Sequence, residues 1–256
     1  MGTYHTYYSY NSDDTLRQIV LPNFETLDYG YNNQGGLESV STLKTNGSGH
    51  SRSNYVYNMT YDEAGRMARQ VLGNSVTQNY TYYPWDNQGG RLNTIVSRKN
   101  SLTPVQNLSY SYDTLGNINS IMDSVAGESF AFGYDNLNRL TSVSGVYSKT
   151  VSYSSVTGNI QQKDGTYGYD TNHPHAVTSI NGVAKYGYDA NGSMTTRTVG
   201  RTTYSMSYDA ENRLTNISGG SLSARYAYDG DGKRVLSVVG TTRTVYVNPY
   251  FEVTMN

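Results

Sequence analysis

The sequence predicts an all-β protein built from about eleven tandem β-hairpins. A Tyr-x-Tyr-Asp motif recurs at a spacing near 20 residues, a glycine or asparagine closes a short turn after it, and an alternating apolar strand follows. Alternation with a period of two, then a turn, then a second alternation indicates a β-hairpin. A fixed period of about 20 residues indicates a repeat architecture.

The clearest copy of the repeat runs from Tyr226 to Val238 and reads YAYDGDGKRVLSV. Asp229 stands at the first position of its turn, where an aspartate side chain can accept hydrogen bonds from the backbone ahead of it. Gly232 stands at the last position, where a positive φ is needed and glycine adopts one without steric cost. This copy therefore predicts a mechanical unit rather than a chemical one.

Degenerate copies begin the chain. The first follows Tyr8 to Tyr10, with Asp13 and Asp14 in its turn, and the second has Asn32 in the place of aspartate. Residues 44–52 are rich in glycine and serine, which predicts a linker or an extended hairpin loop. We therefore expect one repeat array over residues 1–256, with degenerate repeats and a linker over 1–54, regular repeats over 55–240 and a terminal strand over 241–256.

Some later copies depart from the pattern. Pro84 and Pro104 cannot donate to a strand ladder, so we expect them at strand ends or at a sheet edge. The turn after Tyr82 is lengthened by several residues, and the copy ending at Tyr153 lacks its aspartate. Asn138 stands in the glycine position of its turn, where asparagine also tolerates a positive φ.

The regular copies share a tyrosine, the aspartate after it and in most cases a closing glycine. This repeat signature comprises Tyr61, Asp62, Gly65, Tyr112, Asp113, Gly116, Tyr134, Asp135, Tyr169, Asp170, Tyr188, Asp189, Gly192, Tyr208, Asp209, Tyr228, Asp229 and Gly232. An isolated hairpin is marginal in water because one face and two edges stay exposed. Stacking the hairpins removes most of that exposure, so we expect a curled, twisted antiparallel sheet that forms a β-spiral or partial shell.

Composition limits the possible functions. The 27 tyrosines predict a core that is aromatic and half-polar. The chain has no cysteine, which excludes disulfides, zinc–thiolate sites and thiol nucleophiles. The net charge is −1 and the basic residues form no run, so we expect no nucleic-acid partner. No apolar stretch approaches the length of a membrane span, and the N-terminus lacks the pattern of a signal peptide.

These motifs resemble the YD-repeat, or RHS-repeat, family. The match rests on the recurring YxYDxxGxL-like unit, on its variant from Tyr208 to Thr215, and on residues 174–178 followed by residues 188–192. The resemblance covers nearly the whole chain. Residues 228–235 look like the last repeat before the core segment associated with this family.

In that family, β-hairpin repeats spiral into a hollow shell. Such shells enclose a C-terminal toxin in bacterial RHS proteins and in the C components of insecticidal toxin complexes, and a related shell belongs to the adhesion receptors called teneurins. The resemblance implies a non-catalytic scaffold of a secreted or cell-surface toxin. Its partners would be the missing shell repeats, the core and the toxin domain of a parent protein, because the core's DPxG-type motif is absent from this sequence.

Several residues also suggest chemistry, and each has a structural interpretation. The repeat aspartates could bind calcium or act as acid and base, but a repeated turn repeats its aspartate, and we favour the turn role. Asp229 and Asp231 resemble part of a calcium loop, although Lys233 takes the place of a third ligand. His173 and His175 are the best pair of metal ligands, yet two ligands make a weak site. No GxSxG motif supports a catalytic triad, so we expect no catalytic residue, cofactor or metal.

Two further expectations concern partners. Tyrosines that stay exposed could stack on sugar rings, so a carbohydrate-binding or cell-adhesion module is the alternative function. The free edges of a hairpin stack recruit other strands, which predicts self-association or docking to the missing repeats. Gly2 also fits the loose pattern for N-myristoylation.

Overall fold

A computed structural model describes residues 3–46, 49–100 and 103–256. This part of the chain is all-β, and its regular structure consists of 26 strands and one 3₁₀ turn at Gln88–Gly90. No helix in these ranges is long or apolar enough to cross a membrane. Gly2, the residue of the myristoylation pattern, lies outside the described residues.

The first compact unit is Met1–Lys149. It is built on a 13-stranded sheet in which the strands lie side by side in sequence order. These strands are β1 (Tyr7–Tyr10), β2 (Leu16–Val20), β3 (Thr26–Tyr31), β4 (Leu37–Asn46), β5 (Gly49–Tyr61), β6 (Met67–Leu72), β7 (Val76–Tyr82), β8 (Leu92–Lys99), β9 (Pro104–Tyr112), β10 (Ile118–Asp123), β11 (Glu128–Tyr134), β12 (Leu140–Gly145) and β13 (Lys149–Thr150).

The second compact unit is Thr150–Asn256 and has the same meander order. Its strands form a two-stranded, a three-stranded and an eight-stranded sheet. They are β14 (Ser152–Tyr153) and β15 (Ile160–Gln162); β16 (Tyr167–Tyr169), β17 (Val177–Ile180) and β18 (Val183–Ala184); then β19 (Tyr186–Tyr188), β20 (Met194–Val199), β21 (Thr202–Tyr208), β22 (Leu214–Gly219), β23 (Leu222–Tyr228), β24 (Arg234–Val239), β25 (Thr242–Asn248) and β26 (Phe251–Met255).

Two kinds of turn alternate along the meander. One kind follows the second tyrosine of a repeat, and the other connects one repeat to the next. The connections range from tight two-residue turns to longer ones such as residues 21–25, between Val20 and Thr26. Asn181 and Gly182 form such a tight turn, with φ values of 52° and 74°, and they join Ile180 to its partner Val183. Two consecutive positive φ values match the right-handed twist of the flanking strands, which is why Asn-Gly is favoured in such hairpins.

A β-bulge recurs at the start of the return strand. In the hairpin of β21 and β22, Ser207 pairs with Asn216 and Tyr208 with Leu214, so Thr215 is an extra residue. The same shift accompanies the second tyrosine of the other hairpins whose registers are described, for example between Ala227 and Tyr228. A bulge takes backbone groups out of the ladder and increases the local twist. The carbonyl of the first return residue is thereby available to another repeat.

The buried core of the described chain is small and mostly aliphatic. Its apolar members are Ile19, Leu21, Leu27, Met59, Val143 and Ala224, and its polar members are Thr42, Ser97 and Ser237. Apart from the exposed Tyr10, the second tyrosines of the repeats are only half-buried. The expectation of an aromatic core is therefore wrong for the most deeply buried positions. The strands contact mainly their neighbours in the meander, and such contacts leave part of a large ring exposed.

The segment predicted as a linker is largely strand. β4 and β5 extend through it, and their pairing continues from Lys44 opposite Ser51 to Asn46 opposite Gly49. Residues 47 and 48 lie outside the described residues. The glycine and serine content indicated a loop, but the backbone ladder does not depend on those side chains. The two prolines are placed as predicted, since Pro104 begins β9 and Pro84 follows the end of β7.

Candidate functional site

The repeat aspartates organise their own turns. The Asp209 carboxylate accepts hydrogen bonds from the backbone amides of Glu211 and Arg213, at 3.0 and 2.9 Å. The Asn212 amide donates to the Asp209 carbonyl at 3.0 Å, and Asn212 has a positive φ of 58°. The same pair of amide contacts, two and four residues ahead, occurs at Asp62, Asp113, Asp135, Asp189 and Asp229.

Three departures from the motif keep a side-chain acceptor for the turn amides. Asn32 uses its amide oxygen to accept from the amides of Gln34 and Gly36. Ser154, which stands where the weak copy lacks an aspartate, accepts from the amides of Val156 and Thr157 through its hydroxyl. The turn at Asp170 is longer, and its carboxylate accepts from the amides two and three residues ahead. In these turns an amide oxygen or a hydroxyl can take the place of the carboxylate as acceptor.

Hydrogen bonds to the carboxylates keep several of them ionised. The side chain four residues ahead donates to the aspartate and thereby lowers the pKa of Asp62, Asp113 and Asp135 below the usual value. Backbone amides are the main cause of the lowered pKa of Asp170 and Asp209. A carboxylate whose oxygens already accept turn amides is poorly suited to transfer a proton at neutral pH.

The second tyrosine of nine repeats bonds to the preceding repeat. Tyr208 donates its hydroxyl to the Met194 carbonyl at 2.9 Å, and Met194 is the first return residue of the hairpin before it. The same contact is made by Tyr31, Tyr61, Tyr82, Tyr112, Tyr134, Tyr169, Tyr188 and Tyr228, at 2.6–2.9 Å. We call this set of hydroxyl-to-carbonyl bonds the tyrosine ladder.

Partial burial keeps these hydroxyls protonated. It is the main cause of the raised pKa of Tyr82, Tyr112, Tyr134, Tyr169, Tyr188 and Tyr208. A protonated hydroxyl can donate, whereas a phenolate cannot. These six hydroxyls of the tyrosine ladder are therefore neutral donors to backbone acceptors.

Arginines make a second link between repeats. The Arg213 guanidinium donates to the Asp209 carboxylate at 2.8 Å and to the Asp229 carbonyl of the next repeat at 3.2 Å. It also lies 5.3 Å from the centre of the Tyr228 ring, within cation–π range. Arg66 follows the same plan, with its guanidinium 4.1 Å from the centre of the Tyr82 ring.

His173 and His175 also connect repeats. His173 Nδ1 lies 3.3 Å from the Asp170 carboxylate, and its Nε2 lies 3.3 Å from the Ala190 carbonyl. His175 Nδ1 lies 2.6 Å from the Asn159 side-chain oxygen. No group of three or more metal-ligating side chains is present within the described ranges.

The possible calcium loop is likewise a turn. Asp229 accepts from the amides of Asp231 and Lys233, and the Lys233 ammonium lies 4.0 Å from the Asp231 carboxylate.

The sequence motifs placed the aspartates and glycines in turns but did not indicate the tyrosine ladder or the arginine links. The recurrence of arginine four residues after aspartate, at positions 66, 139 and 213, was the available signal for the latter.

Comparison with solved structures identifies the fold. The crystal structure of TcdB2-TccC3-Cdc42 contains a chain that matches with a TM-score of 0.81 and 19% identity, over 98% of this chain and 14% of that one. Another crystal structure, of TcdB2-TccC3, matches with a TM-score of 0.80 and 20% identity, over 99% and 15% of the two chains. This chain has the fold of a TcdB2-TccC3 segment. The similarity in fold agrees with the YD-repeat resemblance.

The same fold is present in the Photorhabdus luminescens Tc holotoxin pore carrying the TccC3 mutation D651A, with a TM-score of 0.78 and 20% identity. That match covers 99% of this chain and 14% of the other, so this chain spans about one seventh of the toxin-complex chains it matches. No protein-family model matches the sequence, and no curated protein does. At this identity, the comparison with the TcdB2-TccC3 segment concerns the fold alone.

Proposed function

We propose that this chain is a non-catalytic scaffold, a segment of a YD/RHS-repeat shell that encloses or presents a toxin or effector domain. The observation that carries this proposal is the tyrosine ladder, which bonds hairpin to hairpin along a fold of the TcdB2-TccC3 kind. Such links stabilise a wall of hairpins, because a single hairpin is only marginally stable and strand pairing joins it to its neighbours at its two edges alone. The repeat side chains are used to build the wall.

The electrostatics of the turns favour a scaffold over an enzyme. The repeat carboxylates accept amides of their own turns, and the arginines near them link neighbouring repeats. Catalytic groups are typically held at a pKa near the working pH, whereas the shifted repeat aspartates have a lowered pKa. The proposed partners are further shell repeats, a core and a toxin domain, in a protein that is secreted or displayed at the cell surface. Residues 1–256 would form one continuous array within that shell.

Limited proteolysis of the full gene product tests this proposal. With the repeat array intact, we expect a fragment from outside residues 1–256 to survive protease. Removing one whole repeat, residues 189–208, should open the wall and expose that fragment. Val156→Ser, at a side chain that is 90% exposed in a turn, is the control and should preserve the protection. Equal digestion of the fragment with and without the deletion would contradict enclosure.

The edge strand β1 supports docking to another repeat. Tyr10 occupies the position of the second tyrosine but is 58% exposed, and its hydroxyl has no hydrogen-bond partner within the described chain. By analogy with Tyr31, whose hydroxyl reaches the Leu16 carbonyl, we propose that Tyr10 donates to the first return residue of a hairpin docked on β1. Light scattering over a concentration series should show association that Tyr10→Phe weakens. Association that is unchanged by this variant would place the contact elsewhere.

Exposed tyrosines keep carbohydrate binding or adhesion as the alternative function. Tyr55 and Tyr57, on β5, are 47% and 54% exposed, unlike the tyrosines of the tyrosine ladder. Tyr55 is already bonded through its hydroxyl to Glu25 at 2.9 Å, which leaves the ring as the available surface. A glycan array tests this alternative: binding that disappears in Tyr57→Ala would support adhesion, and an array without signal would count against it.

A further inference from the structure

The lengthened turn after Tyr82 carries the single tryptophan of the sequence. The loop is closed at its base, where the Tyr83 amide donates to the Arg91 carbonyl at 2.8 Å. The Tyr83 hydroxyl also donates to the Tyr110 carbonyl at 2.8 Å. An insertion at a turn does not contribute to the ladder of the sheet, and such loops on a rigid framework commonly carry binding residues.

The loop is rigid. The Pro84 carbonyl accepts the amides of Asn87 and Gly90, at 3.1 and 3.2 Å. Gln88 has a φ of 62°, followed by 59° at Gly89 and 70° at Gly90. A positive φ at a residue other than glycine has an energetic cost, and such strain concentrates at ligand-binding positions. The loop therefore has a defined backbone shape that its own hydrogen bonds support.

Trp85 is supported on one side and open on the other. The indole packs against Gly90, where an added Cβ would come within 2.7 Å of a ring carbon. The Arg66 guanidinium lies 5.0 Å from the centre of the indole, donates to the Gly90 carbonyl and is held by Asp62 at 2.7 Å. Trp85 nevertheless remains 67% exposed. The result is a fixed aromatic surface facing water.

The two polar residues that follow Trp85 in the loop have unused hydrogen-bonding capacity. Asp86 and Asn87 are both exposed, and neither side chain forms a hydrogen bond to the described residues. Together they offer carboxylate and amide oxygens and an amide donor. Arg66 is paired with the Asp62 carboxylate, whereas Asp86, which follows Trp85 in the sequence, forms no ion pair within the described residues. Its negative charge disfavours an anionic ligand.

We infer that Trp85, Asp86 and Asn87 form a binding site for a neutral pyranose. The C–H face of a pyranose ring is apolar and would stack on the open side of the indole, while the ring hydroxyls would bond to the two polar side chains. Trp85 is large and held in place, so stacking has a low entropic cost. This inference does not depend on the proposed shell function, because it concerns one loop rather than the enclosure of a cargo.

Tryptophan fluorescence tests the inference directly, since Trp85 is the single tryptophan. Titration of the full chain with methyl glucoside, methyl galactoside and N-acetylglucosamine should give a saturable change in emission with at least one sugar. We expect a dissociation constant of about 1 mM, typical of one weak contact site. Sorbitol, which has hydroxyls but no ring face, should give no saturable change.

Variants distinguish this site from other aromatic surfaces. Trp85→Ala should abolish saturation-transfer NMR signals from the sugar protons. Asn87→Ala should raise the dissociation constant measured by fluorescence about threefold to tenfold, because one hydrogen bond is lost. The control is Tyr250→Ala, at another exposed turn position, which should bind like the unmodified chain. The inference is overturned by the absence of saturation with all three sugars, by an equal response to sorbitol, or by NMR signals that persist in Trp85→Ala.

Discussion

The Tyr228 hydroxyl donates a hydrogen bond to the Leu214 carbonyl at 2.8 Å. Leu214 begins the return strand of one hairpin, and Tyr228 ends the first strand of the next. The bond therefore joins two successive repeats through a side chain that neither hairpin needs for its own strand pairing. Stability in repeat proteins is close to a sum of repeat and neighbour terms, so one lost hydroxyl should have a measurable effect.

Removal of a ladder hydroxyl should destabilise the chain. Tyr208→Phe leaves the Met194 carbonyl without its side-chain donor, and we expect the free energy of unfolding to fall by about 1 kcal/mol. Urea denaturation measures this change. The control is Tyr204→Phe on the same strand, because the Tyr204 hydroxyl has no hydrogen bond to the described residues. Equal losses in the two variants would show that the ladder bond contributes nothing specific.

Two glycines of one turn should respond differently to alanine. Gly232 has a φ of 79°, whereas Gly230 has no positive φ and no atom within 4 Å of an added Cβ. Gly232→Ala should lower the free energy of unfolding by about 1–2 kcal/mol because an L-residue is strained there. Gly230→Ala should be neutral or slightly stabilising. Matching effects of the two substitutions in thermal or urea unfolding would contradict this geometry.

The turn acceptor should matter more than its charge. Asp209→Asn retains an oxygen for the amides of Glu211 and Arg213, as Asn32 does in its own turn. Asp209→Ala removes that acceptor. We expect the midpoint of thermal unfolding to decrease more for alanine than for asparagine. Equal decreases in the two variants would instead make the ion pair with Arg213, which both variants remove, the dominant interaction.

Acid should destabilise the fold through the aspartate turns. The pKa is lowered in the folded chain at Asp62, Asp113, Asp135, Asp170 and Asp209. An unfolded aspartate has a pKa of about 3.9, so this stabilisation is present above that pH and is lost as pH falls through the lower folded values. Urea midpoints measured over a pH series should decrease below about pH 4.

Removal of one such carboxylate isolates its contribution to the loss of stability in acid. Asp135→Asn should reduce the loss of stability in acid, because one group with a lowered pKa is removed. Asp231→Asn is the matched control, since Asp231 is exposed and its carboxylate accepts no backbone amide in the described chain. An unchanged acid response in Asp135→Asn would assign the loss to other groups.

Sequence patterns predicted the local turns well because their determinants are local. Asn138 illustrates this, since its position in the repeat indicated a positive φ and the structure has 59°. Ser154 was harder to assign because a missing aspartate suggested a weakened turn, whereas its hydroxyl accepts the same kind of amide contact. A hydroxyl acceptor has many possible partners in a sequence, so the pattern alone did not identify its role.

The sequence by itself determined the hairpins, their order and the chemistry of their turns, because alternation, positive φ and side-chain acceptors act over a few residues. The tertiary structure decided which groups link one repeat to the next. A one-residue bulge such as Thr215 shifts the register, and the carbonyl of the residue before it accepts the hydroxyl of Tyr228, 14 residues ahead. That bond depends on how two separate hairpins lie side by side, a relation that the motif of either hairpin does not contain.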